Sequence, residues 1–336
     1  MIIAVDAMGG DNAPAEVIRG CVQFLNEFGK SGNIRLKLFG QTEKIQSELN
    51  KHTFDKNCIE ICEAPEIIEM AEHPTEAIKR KKNSSIVLGL NSLKRGDAGA
   101  FVSAGSTGAL LTGATVIVGR IKGVERPALG TLLPCKTGSF FLIDSGANVD
   151  AKPQYLAQFA KIGSVYSKEV LGIENPRVGI VNIGAESEKG NVLTKEAFPL
   201  LESCGVNFVG SAEARDIPLG GFDVVVCDAF VGNIILKYSE GFSKALFSLI
   251  KHELTSAFLP SVGALLSKSA FKSLKKKLDP SEVGGAPFLG LKALVVKAHG
   301  SSDAKAIKNA LRQCNIFIEK NVTAKMAESF AANGGV

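Results

Sequence analysis

The stretch from Gly99 to Val118 constrains the fold of this chain most: Gly-Ala-Phe-Val-Ser-Ala-Gly-Ser-Thr-Gly-Ala-Leu-Leu-Thr-Gly-Ala-Thr-Val-Ile-Val. With its neighbours Ala98 and Gly119 it is uncharged and long enough to span a bilayer. Ser103, Gly105, Ser106, Thr107 and Gly108 interrupt it where a turn is wanted, so it reads as a buried strand (100–103) leading into an apolar helix (109–121). A small-residue turn at the joint leaves the N–H groups of the first helical turn unpaired. Together with the positive end of the helix dipole they form a site for an anion such as phosphate. Ser106 and Thr107 suit capping the helix or donating hydroxyls to that anion. No Gly-Lys-Ser/Thr closes the turn, so it is not a P-loop. An ordinary strand-to-helix turn accounts for the same residues, and the stretch alone does not decide between the two.

A chain of 336 residues exceeds what one core usually holds, which predicts either a large α/β unit with a smaller appendage or two lobes. Hydrophobic residues at 45% and 35 glycines argue against disorder. The net charge of +5 is too small to signal nucleic-acid binding, but it suits an acidic partner or an anionic surface. Seven cysteines without a Cys-x-x-Cys form neither a disulfide nor a zinc framework and fit buried thiols in a reducing cytosol. The first residues read as a strand, with no basic-then-apolar leader.

Along the chain, apolar runs alternate with helical patterns. Strands are expected at 1–6, 34–39, 58–62, 100–103, 178–183, 207–210, 223–227 and 291–298. Helices are expected up to about 28 and over 42–50, 84–94, 109–121, 153–171, up to 202, from 228 to 254, and from 303 onward. Residues 126–133 and 139–144 around Lys136-Thr-Gly138 read as an antiparallel hairpin. This density of alternation predicts an α/β fold, a doubly wound, mainly parallel sheet with an antiparallel hairpin. The domain reading is one unit over 1–336. Inserted in it is an apolar and basic helical arm, 254–290, where Phe271, Leu274 and Leu278 share a face ringed by lysines. Lys79-Arg-Lys-Lys82 is either a solvated helix face or a docking patch for an acidic partner.

Three runs share one layout, an apolar strand ending in Asp, then small residues, then Asn: Asp6 with Asn12, Asp144 with Asn148, Asp228 with Asn233. Ligands of open parallel sheets bind at the carboxyl ends of strands, so these residues should gather on one rim with the Ser103–Gly108 turn, Lys189 and His299. Each Asp taken alone is equally a helix cap. Glycines and hydroxyls favour phosphate, and Lys189, between Gly184 and Gly190, supplies a mobile point charge. No nucleophile-elbow serine and no Cys–His pair stands out, which points to a bound anion as the nucleophile.

Val5-Asp-Ala-Met-Gly-Gly-Asp-Asn-Ala-Pro14, Ser103-Ala-Gly-Ser-Thr-Gly-Ala109, Asp144-Ser-Gly-Ala-Asn148, Asn182-Ile-Gly184, Lys189-Gly-Asn191, Cys227-Asp-Ala-Phe-Val-Gly-Asn233 and Lys297-Ala-His-Gly-Ser-Ser302 follow in that order. Over essentially the whole chain this resembles the bacterial phosphate acyltransferase family, the acyl-carrier-protein:phosphate acyltransferases of phospholipid synthesis. Ser106 replaces the usual Asn, and Ala229 the usual Gly. The resemblance implies a fold similar to the isocitrate/isopropylmalate dehydrogenase and phosphotransacetylase group, a homodimer and no cofactor. The implied reaction is attack of inorganic phosphate on the thioester of a fatty acyl-acyl carrier protein. The product would feed a membrane acyltransferase from the cytoplasmic face, with peripheral contact to the membrane and no role for nucleic acid.

On this resemblance the catalytic candidates are Asp6, Lys189, Asp228 and Asn233. Gly9, Gly10, Asp11, Ser103, Ala104, Gly105, Ser106, Thr107, Gly108, Asp144, Asn148, Asn191 and His299 are expected to bind substrate, and no metal is expected. Two rival readings remain open. One is a metal-dependent kinase or dehydrogenase-like enzyme on the same rim, although no Gly-x-Gly-x-x-Gly follows a strand. The other is a membrane-surface scaffold built on the lysine-rich arm.

Overall fold

Residues 1–29 and 34–332 are described by the computed structural model. In chain order the elements are β1 (Ile2–Asp6), α1 (Ala15–Phe28), β2 (Arg35–Gly40), α2 (Thr42–Leu49), β3 (Ile59–Glu63), α3 (Pro74–Arg80), α4 (Ser85–Arg95), β4 (Ala100–Ser103) and α5 (Thr107–Gly113). Then come β5 (Ala128–Cys135), β6 (Gly138–Ile143), α6 (Pro153–Tyr166), β7 (Val178–Asn182), α7 (Val192–Ser203), β8 (Phe208–Glu213) and β9 (Val224–Val226). The chain continues through α8 (Ala229–Thr255), α9 (Phe258–Leu266), α10 (Lys268–Lys277), β10 (Ala286–Leu289), β11 (Leu294–Lys297), α11 (Ala304–Glu319) and α12 (Val322–Ala332).

The strands form one sheet in the order β3-β2-β1-β4-β11-β10-β5-β6-β9-β7-β8. Successive side chains of a strand point to opposite faces, and here both faces are covered. Ile3, Val5, Ala100 and Val102 join one apolar layer with α1, α6 and α11, while Ala4 and Phe101 join another with α4 and α5. That explains why these strands read as continuous hydrophobic runs.

The sheet departs from the expected doubly wound layout in one respect that decides the site. β3, β2, β1, β4 and β11 are parallel, and so are β6, β9, β7 and β8, but β10 and β5 stand between them as antiparallel links. The two parallel blocks therefore run in opposite directions. Asp6 and Asp144 end strands of opposite sense, so the expected single rim is instead two rims. The register brings them close: Lys297 pairs with Ala286, Phe288 with Leu129, and Gly130 with Ile143.

The expected hairpin and the long helix from 228 are present. The helix expected over 109–121 is α5 followed by a π turn, Ala114–Val118, and the final helix breaks at Asn321, whose φ is 51°. β10 has no counterpart in the expected elements. In the basic run, Lys81 donates to the Ile67 carbonyl and pairs with Glu72, and Arg80 lies 3.7 Å from Glu76, so these two cations are occupied in part by the fold itself. From Phe230 onward α8 exposes an apolar stripe, Phe230, Ile234, Tyr238, Phe242 and Leu249, and α9 continues it with Phe258, Leu259, Leu265 and Leu266. That stripe starts ahead of residue 254. Among the described residues no helix is long and apolar enough to cross a membrane.

Candidate active site

Three loops follow the adjacent parallel strands β1, β4 and β11, and glycine lets them touch. Gly10 has φ +100°, and a Cβ there would meet both the Ala104 Cβ and the Gly300 carbonyl at 2.9 Å. A Cβ on Gly9 would come within 2.3 Å of Asp6 Oδ2 and 2.6 Å of the Gly105 nitrogen. The Asp11 N–H donates to the Gly300 carbonyl at 2.8 Å, tying the first loop to the third.

Beneath the loops lies a buried polar knot. Ser103 Oγ donates to Asp6 Oδ2 at 2.6 Å and accepts from the Gly105 N–H at 3.0 Å. Burial pushes the Asp6 carboxyl above the usual aspartate range, against the lowering by the Ser103 and Ser85 hydroxyls and the Met8 and Gly9 N–H groups. Lys297, the last residue of β11 and 8% exposed, donates from Nζ to the carbonyls of Ala104 (3.1 Å) and Ala298. Burial lowers its pKa to about 8, although Asp6 and Asp11 pull the other way.

In the Ser103–Gly108 turn, Ser106 caps α5 through the Ala109 N–H at 3.4 Å. The N–H groups of Ser106, Thr107 and Gly108 find no partner among the described residues, as the first turn of a helix requires. Gly108 has a further reason to be glycine: a Cβ would meet Pro74 Cγ at 2.6 Å, where α3 packs on α5.

These loops border a cavity of about 700 Å³, within the range of small-molecule sites. Asp11, Thr107, Lys297, His299 and Gly300 line one side. Leu129, Leu132 and Leu133 of β5 form an apolar wall, and Asn233, Leu236, Lys237 and Glu240 reach in from α8. His299 Nδ1 accepts the Ser301 N–H at 3.2 Å, which leaves the proton of the neutral ring on Nε2. Burial and then the Lys237 charge hold this histidine below its ordinary pKa.

The other predicted residues occupy different places. Asp144 is wholly buried, and its carboxylate accepts from the N–H groups of Leu129, Gly146, Ala147 and Asn148 and from the Asn148 amide, which also donates to the Pro127 carbonyl. Every acceptor site of that carboxylate is used, so Asp144 and Asn148 fold the turn whose Ser145 and Gly146 floor the cavity, and neither of the two side chains stands in the lining itself. Asp228 Oδ1 accepts the Val231 N–H at 2.9 Å and caps α8, with no place in the lining. Lys189 and Asn191 belong to the loop between β7 and α7, outside the lining; Asn191 caps α7 through Thr194. Asn233, Asp11, Thr107 and His299 are thus brought together with the Asp6–Ser103 knot under them.

Sequence reasoning passed over Lys297 and Lys237. Both had a signal: Lys297 closes the otherwise apolar strand Leu-Val-Val-Lys, and Lys237 stands one helical turn beyond Asn233 on α8.

The fold is one that solved α/β proteins share. A phosphotransacetylase from Streptococcus pyogenes superposes with a TM-score of 0.63 at 17% identity, covering 98% of this chain and 94% of that one. A branched-chain phosphotransacylase from Enterococcus faecalis gives 0.58 at 15% identity over 96% and 99%. The family model described as fatty acid synthesis protein matches residues 1–325. A phosphate acyltransferase of Clostridium acetobutylicum is 51% identical over 97% of this chain and 98% of its own length, and one of Clostridium perfringens is 51% identical over 98% and 96%. The chain belongs to the phosphate acyltransferase family, and its role is acyl transfer involving phosphate.

Proposed function

We propose that the chain moves a fatty acyl group from the thioester of an acyl carrier protein to inorganic phosphate, and that the acyl phosphate is consumed in phospholipid synthesis. The observation that carries this reading is a single cavity with a glycine-rich polar corner on one side and the Leu129–Leu133 wall on the other. Phosphate fits the open N–H groups of the Ser103–Gly108 turn, and the acyl chain fits the apolar wall. A phosphate oxygen attacks the thioester carbonyl carbon, the C–S bond breaks, and the electron pair leaves on the carrier's thiolate. Asn233 and the His299 Nε2–H are the donors suited to the tetrahedral oxyanion. The exposed stripe on α8 and α9 supports a homodimer and peripheral contact with the cytoplasmic face of the membrane, where a membrane acyltransferase would receive the product.

The test is acyl-phosphate formation from acyl carrier protein thioester, followed by 31P NMR in excess chelator. Thiol release that rises and saturates with phosphate is expected. Absence of phosphate dependence overturns the reading, and loss in chelator that magnesium restores moves it to the metal-dependent rival.

A further inference from the structure

We propose that Lys297 is the cation that grips the phosphate nucleophile, in place of the loop residue Lys189; this rests on the acyl-transfer reading above. An ammonium has three N–H groups. Two are held by the Ala104 and Ala298 carbonyls, which fixes Nζ at the joint of β4 and β11, and Lys297 lines the cavity, so one N–H is left for a ligand. Among the described residues no carboxylate is ion-paired with it. Asp6, the carboxylate beneath the loops, already accepts the Ser103 hydroxyl and the Met8 N–H. A buried cation lacking a contact counter-ion is costly, and an anion arriving in the cavity relieves that cost. Lys189 has no such placement: it lies outside the lining.

The charged groups that face Lys297 are Asp6 from β1, Asp11 from the loop after it, and Lys237 from α8, with His299 and Glu240 next in line. The two carboxylates favour its charged form and Lys237 opposes it, while burial outweighs both and brings the pKa to about 8. Bound phosphate adds negative charge at the free N–H and raises that pKa. In the alkaline range part of the empty sites carry a neutral lysine, so phosphate binding there draws protons onto Lys297 from solvent.

Calorimetric titration of the full chain with inorganic phosphate, in buffers of different ionisation enthalpy, reads this uptake directly. With phosphate bound as the dianion, net proton uptake at pH 8 that gives way to net release by pH 6, where the free monoanion must lose its proton, is expected, with affinity falling as pH rises above 8. Lys297→Met should abolish the uptake and weaken phosphate binding about tenfold to a hundredfold, the span of one hydrogen bond to a charged group. In turnover the loss should appear in the phosphate KM, with the KM for the acyl donor nearly unchanged. Lys297→Arg, which stays charged, covers the case in which Met does not fold: it should bind phosphate with no alkaline decline. Lys189→Ala should keep the wild-type uptake. Wild-type phosphate affinity in a folded Lys297→Met, or an Arg variant with the wild-type alkaline decline, overturns the role of Lys297. No phosphate binding and no phosphate-dependent thiol release by wild type would instead remove the acyl-transfer reading itself.

Discussion

A lysine that is charged in water and buried in the fold costs stability wherever its charge persists. Because the folded pKa of Lys297 is depressed from 10.5 to about 8, the cost is full below pH 8 and vanishes above 10.5. Replacing it with Met should therefore raise ligand-free stability at pH 7 relative to pH 10.5, by a difference on the order of 3 kcal/mol. Denaturant unfolding of both proteins at the two pH values measures it, and phosphate at one fixed concentration should shrink the difference by stabilising wild type more than the variant. At this scale the sequence was legible where residue type implies geometry. Gly9 and Gly10 are required by close approach, and Asp228 is the helix cap that any lone Asp before a helix suggests. Nothing local to Gly108 announces that Pro74, far away in the chain, packs onto its Cα. The five donors around Asp144 likewise become visible only once the turn has folded around it.

At the scale of elements, α8 joins the second parallel block to the cavity, and its seating depends on one residue. A Cβ on Gly232 would lie 1.9 Å from the Asp144 carbonyl oxygen, a backbone atom that the saturated Asp144 turn prevents from shifting. Gly232→Ala should therefore lift the first turn of α8, cost roughly 1–3 kcal/mol of stability, and displace Asn233 and Lys237 from the cavity. Melting temperature together with the KM for acyl donor checks this; a variant with wild-type melting and kinetics would show that α8 is not seated through Gly232. Elements with strong periodicity, α1, α6 and α11, were legible from sequence. β10 was not, because Ala-Pro-Phe-Leu between glycines is too short to show alternation and its Pro argues against a strand. Reversal of the second parallel block escaped for the same reason, since β10 and β5 are what turn it around.

For the whole molecule, the apolar stripe from Phe230 to Leu266 is a surface that the core leaves uncovered. If it meets a bilayer, wild type should float with anionic vesicles while Leu265→Glu with Leu266→Glu should remain at the bottom of the gradient. Flotation that is unaffected by this double change removes the membrane reading, and a parallel sedimentation measurement shows whether the same stripe instead pairs two copies. The sheet order also governs how the chain is made. β4 waits for β11, and the hydrogen bond from Lys297 to Ala104 joins residues 193 positions apart. α1 likewise packs on α11, where a Cβ on Gly20 would press on Ile307. During synthesis the first eight elements, β1 to β4, emerge long before the strand that completes them, with β4 exposed as an open, strongly apolar edge. Such late, distant closure makes for slow folding and a long interval in which a holdase chaperone has a strand to protect. A ribosome-bound chain lacking β11 also lacks Lys297 and His299, so the polar corner of the cavity is complete only once the loop after β11 has been made.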